Sequence, residues 1–304
     1  MHSVLVLMST YNGEKYLREQ LDSIIAQENV RVTILVRDDG SKDSTVEILE
    51  EYKNTYPETF ILEEGENVGC LKSFFWLMRE AAEKYTDYDS YAFSDQDDVW
   101  LKDKLYRGAD ALAKTGAKYK LYFCAPQLVD ATLEPLQSKL AKYNLSLAEA
   151  FVFQPCIGCS MVFNHTLLKE AARGDTSIVD IHDAWLYKLA LSLGAKVIYD
   201  STPQILYRQH SSNTIGSHQS RMTAWKRRWK WFVRNKRYRS SIARYILENY
   251  KILIPAEEKN LLGLLSNYTT SLRSKFKLLS TSDFNTFKKL HTLLFKFAII
   301  TNRI

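Results

Sequence analysis

The sequence predicts an α/β protein: a doubly wound, mostly parallel sheet over residues 1–220, then a basic helical appendage over 221–304. Three observations predict it. Short apolar runs alternate with stretches of helical period from Val4 to about Leu193. Polar turns follow the runs at 9–13, 37–41 and 94–100, the last two bearing acids, where strands of such sheets end and ligands bind. The charge balance breaks after Ser220: residues 221–304 carry 19 Lys and Arg against 4 Asp and Glu, a net of +15, whereas 1–220 carry 22 against 31, a net of −9. The overall +6 of the 304 residues conceals both.

In order, residues 3–8 (Ser-Val-Leu-Val-Leu-Met) form a strand buried on both faces, and 9–13 the turn after it. A helix from about Glu14 to Gln27 places Leu17, Leu21, Ile24 and Ile25 on one face. Residues 32–36 are the second buried strand, and Ser44 with Glu47 has the spacing of a capping box for the next helix. A short third strand follows at 60–62, a turn at 67–69 and a helix over 71–84. The strand 91–94 feeds the acidic loop, and a helix runs from about Lys102 to Lys114. After a strand at 121–125 the regularity loosens into an excursion over 129–146. Residues 151–155 and 160–163 read as strands flanking Cys156-Ile157-Gly158-Cys159. A helix opens at Ile181-His182-Asp183, and strands at 196–199 and 204–207 lead to Tyr207-Arg208-Gln209-His210, where the regular body ends.

An apolar fraction of 46% supplies ample material for a core. The opening Met1-His2-Ser3 lacks a basic n-region, and no segment is long enough to span a bilayer. Cys70, Cys124, Cys156 and Cys159 read as reduced thiols of a cytosolic protein, with the Cys156–Cys159 pair as small buried residues. No G-x-G-x-x-G follows the first strand and no Walker motif occurs, which argues against dinucleotide oxidoreductases and P-loop NTPases.

The residues that carry chemistry sit at the strand ends. Asp95, Asp97 and Asp98 crowd three carboxylates into four residues; they repel unless a cation neutralises them, and Mg²⁺ prefers such oxygens. An acidic loop capping the next helix accounts for the same residues. Asp38 and Asp39 suit hydrogen bonds from a ribose or base, or simply make the Asp-Gly turn. Tyr11 can stack on a base or cover the sheet edge. Asp183 is placed for an N-cap as well as for catalysis, His182 as a neutral helix-entry residue, and His210 as a surface imidazole or a ligand of metal or phosphate.

The ordered set of turns resembles glycosyltransferase family 2. Ser9-Thr10-Tyr11-Asn12-Gly13, Asp38-Asp39-Gly40-Ser41 and Asp95-Gln96-Asp97-Asp98 carry the likeness over about residues 3–215. Ser94-Asp95-Gln96-Asp97-Asp98-Val99-Trp100, Ile181-His182-Asp183 and Tyr207-Arg208-Gln209-His210 are most similar to bacterial rhamnosyltransferases. The resemblance implies the GT-A fold, with a nucleotide-sugar half over about 1–115 and an acceptor half over about 116–220. It implies an inverting enzyme dependent on Mg²⁺ or Mn²⁺, with dTDP-L-rhamnose as donor. Thr10, Tyr11 and Asn12 would line the nucleotide, with Tyr11 stacked on the base. Asp39 would accept from the base N–H, Asp95 would touch the ribose, and Asp97 would hold the metal with His210 as a further contact. Asp183 would be the catalytic base, with Gly158 and His182 beside the acceptor. A UDP-sugar enzyme and a non-catalytic nucleotide-sugar scaffold at the membrane are the alternatives.

The tail suggests where such an enzyme works. Met222, Trp225, Trp229 and Phe232 fall on one helical stripe among basic residues, which suits an anionic membrane surface or packing onto the body. Leu290, Leu293, Leu294 and Phe297 mark a second amphipathic helix. The expectation is a cytoplasmic protein peripheral to the inner face of the cell membrane. It would act on a lipid-linked saccharide in cell-wall polysaccharide synthesis, without nucleic acid, with a homodimer as one candidate assembly.

Overall fold

The computed structural model describes residues 1–137, 143–209, 237–286 and 289–304. They fall into two compact units, one drawing on Met1–Leu140, Cys156–Leu186 and Ala195–Arg208, the other on Ala141–Pro155, Tyr187–Gly194 and Gln209–Ile304. The first holds an eight-stranded sheet: β1 (His2–Thr10), β2 (Val30–Asp38), β3 (Phe60–Glu64), β4 (Ser90–Ser94), β5 (Val99–Trp100), β6 (Lys120–Val129), β7 (Met161–Phe163) and β8 (Lys196–Arg208). Their order is β3-β2-β1-β4-β7-β6-β8-β5. β1 pairs in parallel with β2 and β4, β2 with β3, and β6 with β8, while β7 and β5 run antiparallel to their neighbours. The predicted mostly parallel sheet is present. Its strand order reverses at β1, with β2 and β3 added on one side and β4 on the other, so the loops after β1 and β4 open at the switch point.

Helices α1 (Leu17–Ile25), α2 (Thr45–Thr55), α3 (Cys70–Lys84) and α4 (Lys104–Ala113) connect the early strands. Val4, Val6 and Met8 on one face of β1 share a core with Leu17, Leu21 and Ile24 of α1 and Ile48 and Leu49 of α2. Leu5 and Leu7 on the other face are equally buried, and α3 packs on β1 and β2. A strand covered on both faces is apolar along its covered length, hence the unbroken run over 4–8.

Several local expectations are corrected. The Ser44–Glu47 capping box does not form: Ser44 makes no side-chain cap, and Asp43 Oδ1 accepts from the Thr45 N–H at 3.1 Å instead. The first helix starts at Leu17 rather than Glu14, because Glu14 is drawn away: its N–H donates to Asp43 Oδ2 (3.2 Å) and its Oε2 accepts from Ser44 N (3.0 Å). The strand expected at 151–155 is instead the end of helix α5 (Leu147–Val152). There Ser146 Oγ accepts from Glu149 N at 3.2 Å, while Glu149 Oε2 accepts from Asn144 and Leu145 N–H groups, a cap that fixes helix over apolar strand-like composition. The two strands expected at 196–207 are one, β8, broken only by a register shift opposite Ala125 and Pro126, where Pro126 and Pro203 lack ladder donors. Helix α6 (His165–Ala172), capped by Asn164, and the two-residue β5 were not anticipated.

The second unit contains α5 and the helices α8 (Tyr238–Tyr250), α9 (Ala256–Asn267), α10 (Leu272–Ser280) and α11 (Lys289–Ile300), confirming a helical C-terminal region. Ile242, Ile246, Tyr250, Leu262, Leu265 and Tyr268 are buried. Arg239 Nε donates to the Phe151 carbonyl at 2.7 Å, joining α8 to α5. The helix expected around Leu290 is α11; the stripe from Met222 to Phe232 and His210 lie outside the described residues.

Candidate active site

The end of β2 is fully wired. Asp38 Oδ1 accepts from Gly40 N (3.1 Å) and Ser41 N (2.8 Å), and its Oδ2 from Ser41 Oγ (2.6 Å) and Thr10 Oγ1 (2.9 Å). Four donors satisfy this buried carboxylate, so Asp38 shapes the turn and Thr10 is one of its struts. Asp39 is buried too. Its Oδ1 accepts from Arg37 Nη1 (2.5 Å) and Val68 N (2.9 Å), and its Oδ2 from Gly69 N (2.8 Å). Three donors leave Asp39 one of a carboxylate's roughly four acceptor positions.

The β1 loop is held open beside it. Tyr11, about half exposed, has its peptide gripped by the Gln96 side chain: Tyr11 N donates to Oε1 at 2.8 Å and Nε2 donates to the Tyr11 carbonyl at 3.1 Å. Gly13 allows this, because a Cβ there would stand 2.5 Å from Gln96 Oε1. Asn12, at φ 48°, donates its N–H to Ser41 Oγ and accepts from Lys42 N through Oδ1. Gln96 therefore ties the tyrosine loop to the acidic loop, a role that its place between carboxylates in the sequence gave no reason to expect.

The end of β4 is the opposite case. Asp98 is fully buried; its Oδ1 accepts from Arg208 N at 3.1 Å, and its Oδ2 has no hydrogen-bond partner. Burial, then the charges of Asp97 and Asp95, raises its carboxyl well above the usual range. Asp95 is raised likewise, by burial first and then by Asp97 and Asp183. Ligand-capable atoms of Asp95, Asp98 and Cys159 lie within 4.8 Å of one another. The orphaned Oδ2 among two carboxylates and a thiol fits a divalent cation, with oxygens suited to Mg²⁺ or Mn²⁺. Asp97 stands outside that trio but close enough for its charge to act on both carboxylates. Cys156 and Cys159 are buried, as expected, and burial pushes the Cys159 thiol up.

Two buried cations back this loop, and neither was assigned a role from sequence. Arg208, 1% exposed, donates from Nε to the Asp97 carbonyl (2.9 Å), from Nη1 to the Ala131 carbonyl (2.7 Å) and from Nη2 to Glu19 (2.6 Å), with its guanidinium over the Tyr16 ring. Lys104 lies over Trp100, 3.4 Å from the ring centroid, its ammonium unbonded; burial lowers it to about 8, opposed by the thiols of Cys124 and Cys159 and the charge of Asp98. Arg208 was visible as part of a motif; Lys104 had no signal beyond following the loop.

Helix α7 (His182–Ser192) brings the remaining residues. Asp183 sits in its first turn, and its Oδ1 accepts the Ala184 N–H at 2.5 Å. His182 stacks on Phe74 (3.7 Å between centroids) and meets Phe93 edge-on (4.9 Å); its Nε2 is buried without a partner. Burial lowers this imidazole to about 4, opposed by Asp183, so it is neutral as expected. A single 3₁₀ turn, Gly158–Ser160, closes over it, and a Cβ on Gly158 would stand 2.9 Å from His182 Nε2. Cys70, at the start of α3, reports how these residues converge. Solvent reaches its surface, yet surrounding protein first, then Asp95, Asp183 and Asp39, pushes its thiol up to about 12. Three acids from three strand or helix ends thus act on one point.

Comparison with known proteins identifies the family and the fold. Residues 5–171 match glycosyl transferase family 2. Over 247 residues the chain is 32% identical to dTDP-rhamnosyl transferase RfbG of Shigella flexneri, covering 78% of this chain and 82% of the relative. Among solved structures, S. aureus TarS 1-349 in complex with UDP-GlcNAc aligns with a TM-score of 0.57 at 17% identity, covering 99% of this chain and 82% of that one. Mannosyltransferase PcManGT from Pyrobaculum calidifontis, in complex with GDP-Man and Mn²⁺, aligns with a TM-score of 0.53 at 18% identity, covering 98% and 80%. These two likenesses carry the GT-A fold. The chain belongs to glycosyl transferase family 2 and is a glycosyltransferase.

Proposed function

We propose that this glycosyltransferase moves L-rhamnose from dTDP-L-rhamnose to a lipid-linked saccharide, with inversion, at the inner face of the cell membrane. The observation that carries the donor is the 32% identity to a dTDP-rhamnosyl transferase along most of both chains. Support for the chemistry comes from the unpartnered Oδ2 of Asp98 within the carboxylate cluster at the β4 end. Tyr11 offers its half-exposed ring to the thymine, and Asp39 its remaining acceptor position to a base N–H. Asp95 would touch the ribose, and Asp97 and the Asp95–Asp98–Cys159 group would hold Mg²⁺ or Mn²⁺, with His210 as a further contact. When bound, such a cation stabilises negative charge developing on the diphosphate.

Asp183 performs the proton transfer. An acceptor hydroxyl beside Gly158 gives its proton to the carboxylate as its oxygen attacks the anomeric carbon. The new C–O bond forms as the bond to the diphosphate breaks on the opposite face, and dTDP leaves with the electron pair. The Ala184 N–H on Oδ1 fixes the carboxylate for this step. His182, stacked on Phe74 and edge-on to Phe93, holds the start of α7 beside it.

Thermal shift and calorimetry with Mn²⁺ and a panel of dTDP-L-rhamnose, UDP-GlcNAc and GDP-mannose test the donor. The expected result is the largest stabilisation with dTDP-L-rhamnose, and release of dTDP only when metal is present. A larger shift with a UDP-sugar overturns the donor, and absence of turnover with every donor and acceptor overturns the enzyme in favour of a nucleotide-sugar scaffold.

A further inference from the structure

Two helices of the second unit leave apolar faces in solvent. α11 (KLHTLLFKFAII) is apolar around most of its circumference. Phe295, Ala298 and Ile299 on one side are buried, and His291 meets the Phe153 ring edge-on at 5.1 Å between centroids. Leu290, Leu293, Leu294 and Ile300 lie on the other side, within about 120° of arc at helical spacing. They are between 38% and 65% exposed. On α10, Leu272 and Phe276 are 75% and 69% exposed. Lys275, between them in sequence, donates to the Ile300 carbonyl (2.9 Å) and Asn302 Oδ1 (3.0 Å), so the two apolar stripes meet at the end of α11. A helix apolar on both sides is ordinarily covered on both, and no described residue covers this one.

The charge around the faces selects what covers them. Residues 272–303 hold seven Lys and Arg and a single acid, Asp283. A second copy of the chain would set this basic patch against itself across a twofold axis. An anionic bilayer offers acyl chains to the leucines and phosphates to the lysines beside them. Among the described residues no helix is long and apolar enough to cross a membrane, and α11 has 12 residues. We infer that α10 and α11 form a docking face that lies in the plane of an anionic lipid bilayer, Leu290, Leu293, Ile300, Leu272 and Phe276 entering the acyl boundary. This deepens the proposed action on a membrane-borne acceptor and rests on that reading for its purpose. It places attachment on α10 and α11; the tryptophan stripe lies outside the described residues.

The test is sedimentation of the full chain with phosphatidylglycerol/phosphatidylcholine vesicles and with pure phosphatidylcholine, beside donor hydrolysis in solution. Wild type is expected to bind the anionic vesicles and to be only partly released by high salt. A Phe276→Gln/Leu293→Gln/Ile300→Gln variant should bind at least about tenfold more weakly while its donor hydrolysis and melting temperature stay unchanged. Lys289→Glu/Lys296→Glu, which leaves the apolar positions intact, should lose the preference for anionic vesicles. Wild-type binding by both variants overturns the docking face. So does a dimer in light scattering that the glutamine variant abolishes while vesicles go unbound. Vesicle binding without turnover of any donor supports the docking face while removing the enzymatic reading.

Discussion

The ends of β2 and β4 carry the same residue type at equivalent places in one parallel sheet, and the structure treats them in opposite ways. Asp38 and Asp39 receive seven hydrogen bonds between them, from backbone amides, hydroxyls and Arg37. Asp98 receives one backbone N–H, from Arg208, has the Cys159 thiol as a neighbour and keeps an Oδ2 without an N–H or O–H donor; burial with mutual repulsion raises both Asp98 and Asp95. A buried carboxylate without donors is costly to fold, whereas one with donors is part of the scaffold. The β2 end is therefore built to be rigid and the β4 end to be completed by something else, in keeping with a cation and a diphosphate.

The largest expected effect tests whether the incomplete side carries the chemistry. Asp183→Asn should lower kcat about 10²–10⁴-fold with donor affinity by calorimetry little changed. Asp97→Asn should abolish turnover and weaken Mn²⁺-dependent donor binding while the protein stays folded. Near-normal activity of Asp97→Asn in chelator-treated buffer would remove the metal assignment.

Stability separates the two strand ends directly. Asp38→Ala leaves four donors without their acceptor and should cost about 3 kcal/mol in urea unfolding. Asp98→Asn removes a buried charge, keeps an acceptor for Arg208 N and should leave stability within about 1 kcal/mol. Equal losses in both variants would break the comparison.

His182 extends the contrast to pH. Burial holds its imidazole at about 4 against an ordinary 6.5. A base lowered by folding contributes its full stability above about pH 6.5 and loses it as pH falls toward 4, here by up to about 3 kcal/mol. Asp95 and Asp98, raised by folding, act in the opposite sense, so the readout is the difference from His182→Phe, which keeps the aromatic stack. That variant should show a shallower loss of stability between pH 6.5 and 4; an identical slope would mean the imidazole does not titrate in this way.

The smallest effect lies just beyond the wired end. Asp43→Ala should cost about 1 kcal/mol, whereas Ser44→Ala, with no cap bond to lose, should change stability by only a few tenths. A larger loss from Ser44→Ala in chemical unfolding would restore the capping box.

The sheet was legible because the covered middle of a strand is apolar, as at residues 4–8 of β1, 34–36 of β2 and 91–93 of β4. What the sequence concealed was which of several possible partners each polar group takes, whether near in the chain or far. The Ser44–Glu47 spacing was right for a cap, but Asp43 was nearer the amide. Ser146–Glu149 had the same spacing and did form one, within a run read as irregular. The candidate site was legible as a set of strand ends, because acids cluster there. Which of those acids are satisfied was not, because the donors arrive from Gly69, Arg208 and Ser41. Gln96 escaped notice for a related reason: its partner is the peptide of Tyr11, 85 residues away.

Arg208 makes the acidic loop a late product of folding. Its backbone N–H reaches Asp98 across 110 residues, and its guanidinium reaches Glu19 across 189. Contacts of such separation cost loop-closure entropy before they return any stability, and they slow the search for the native arrangement. A chain still emerging from the ribosome can pair β1, β2, β3 and β4, because their contacts are complete within the first 94 residues. It cannot lock the loop that follows β4 until residue 208 is free to close it from behind. Binding competence thus arrives after the sheet's first half, and a chain stopped short of Arg208 would hold its carboxylates with no clasp.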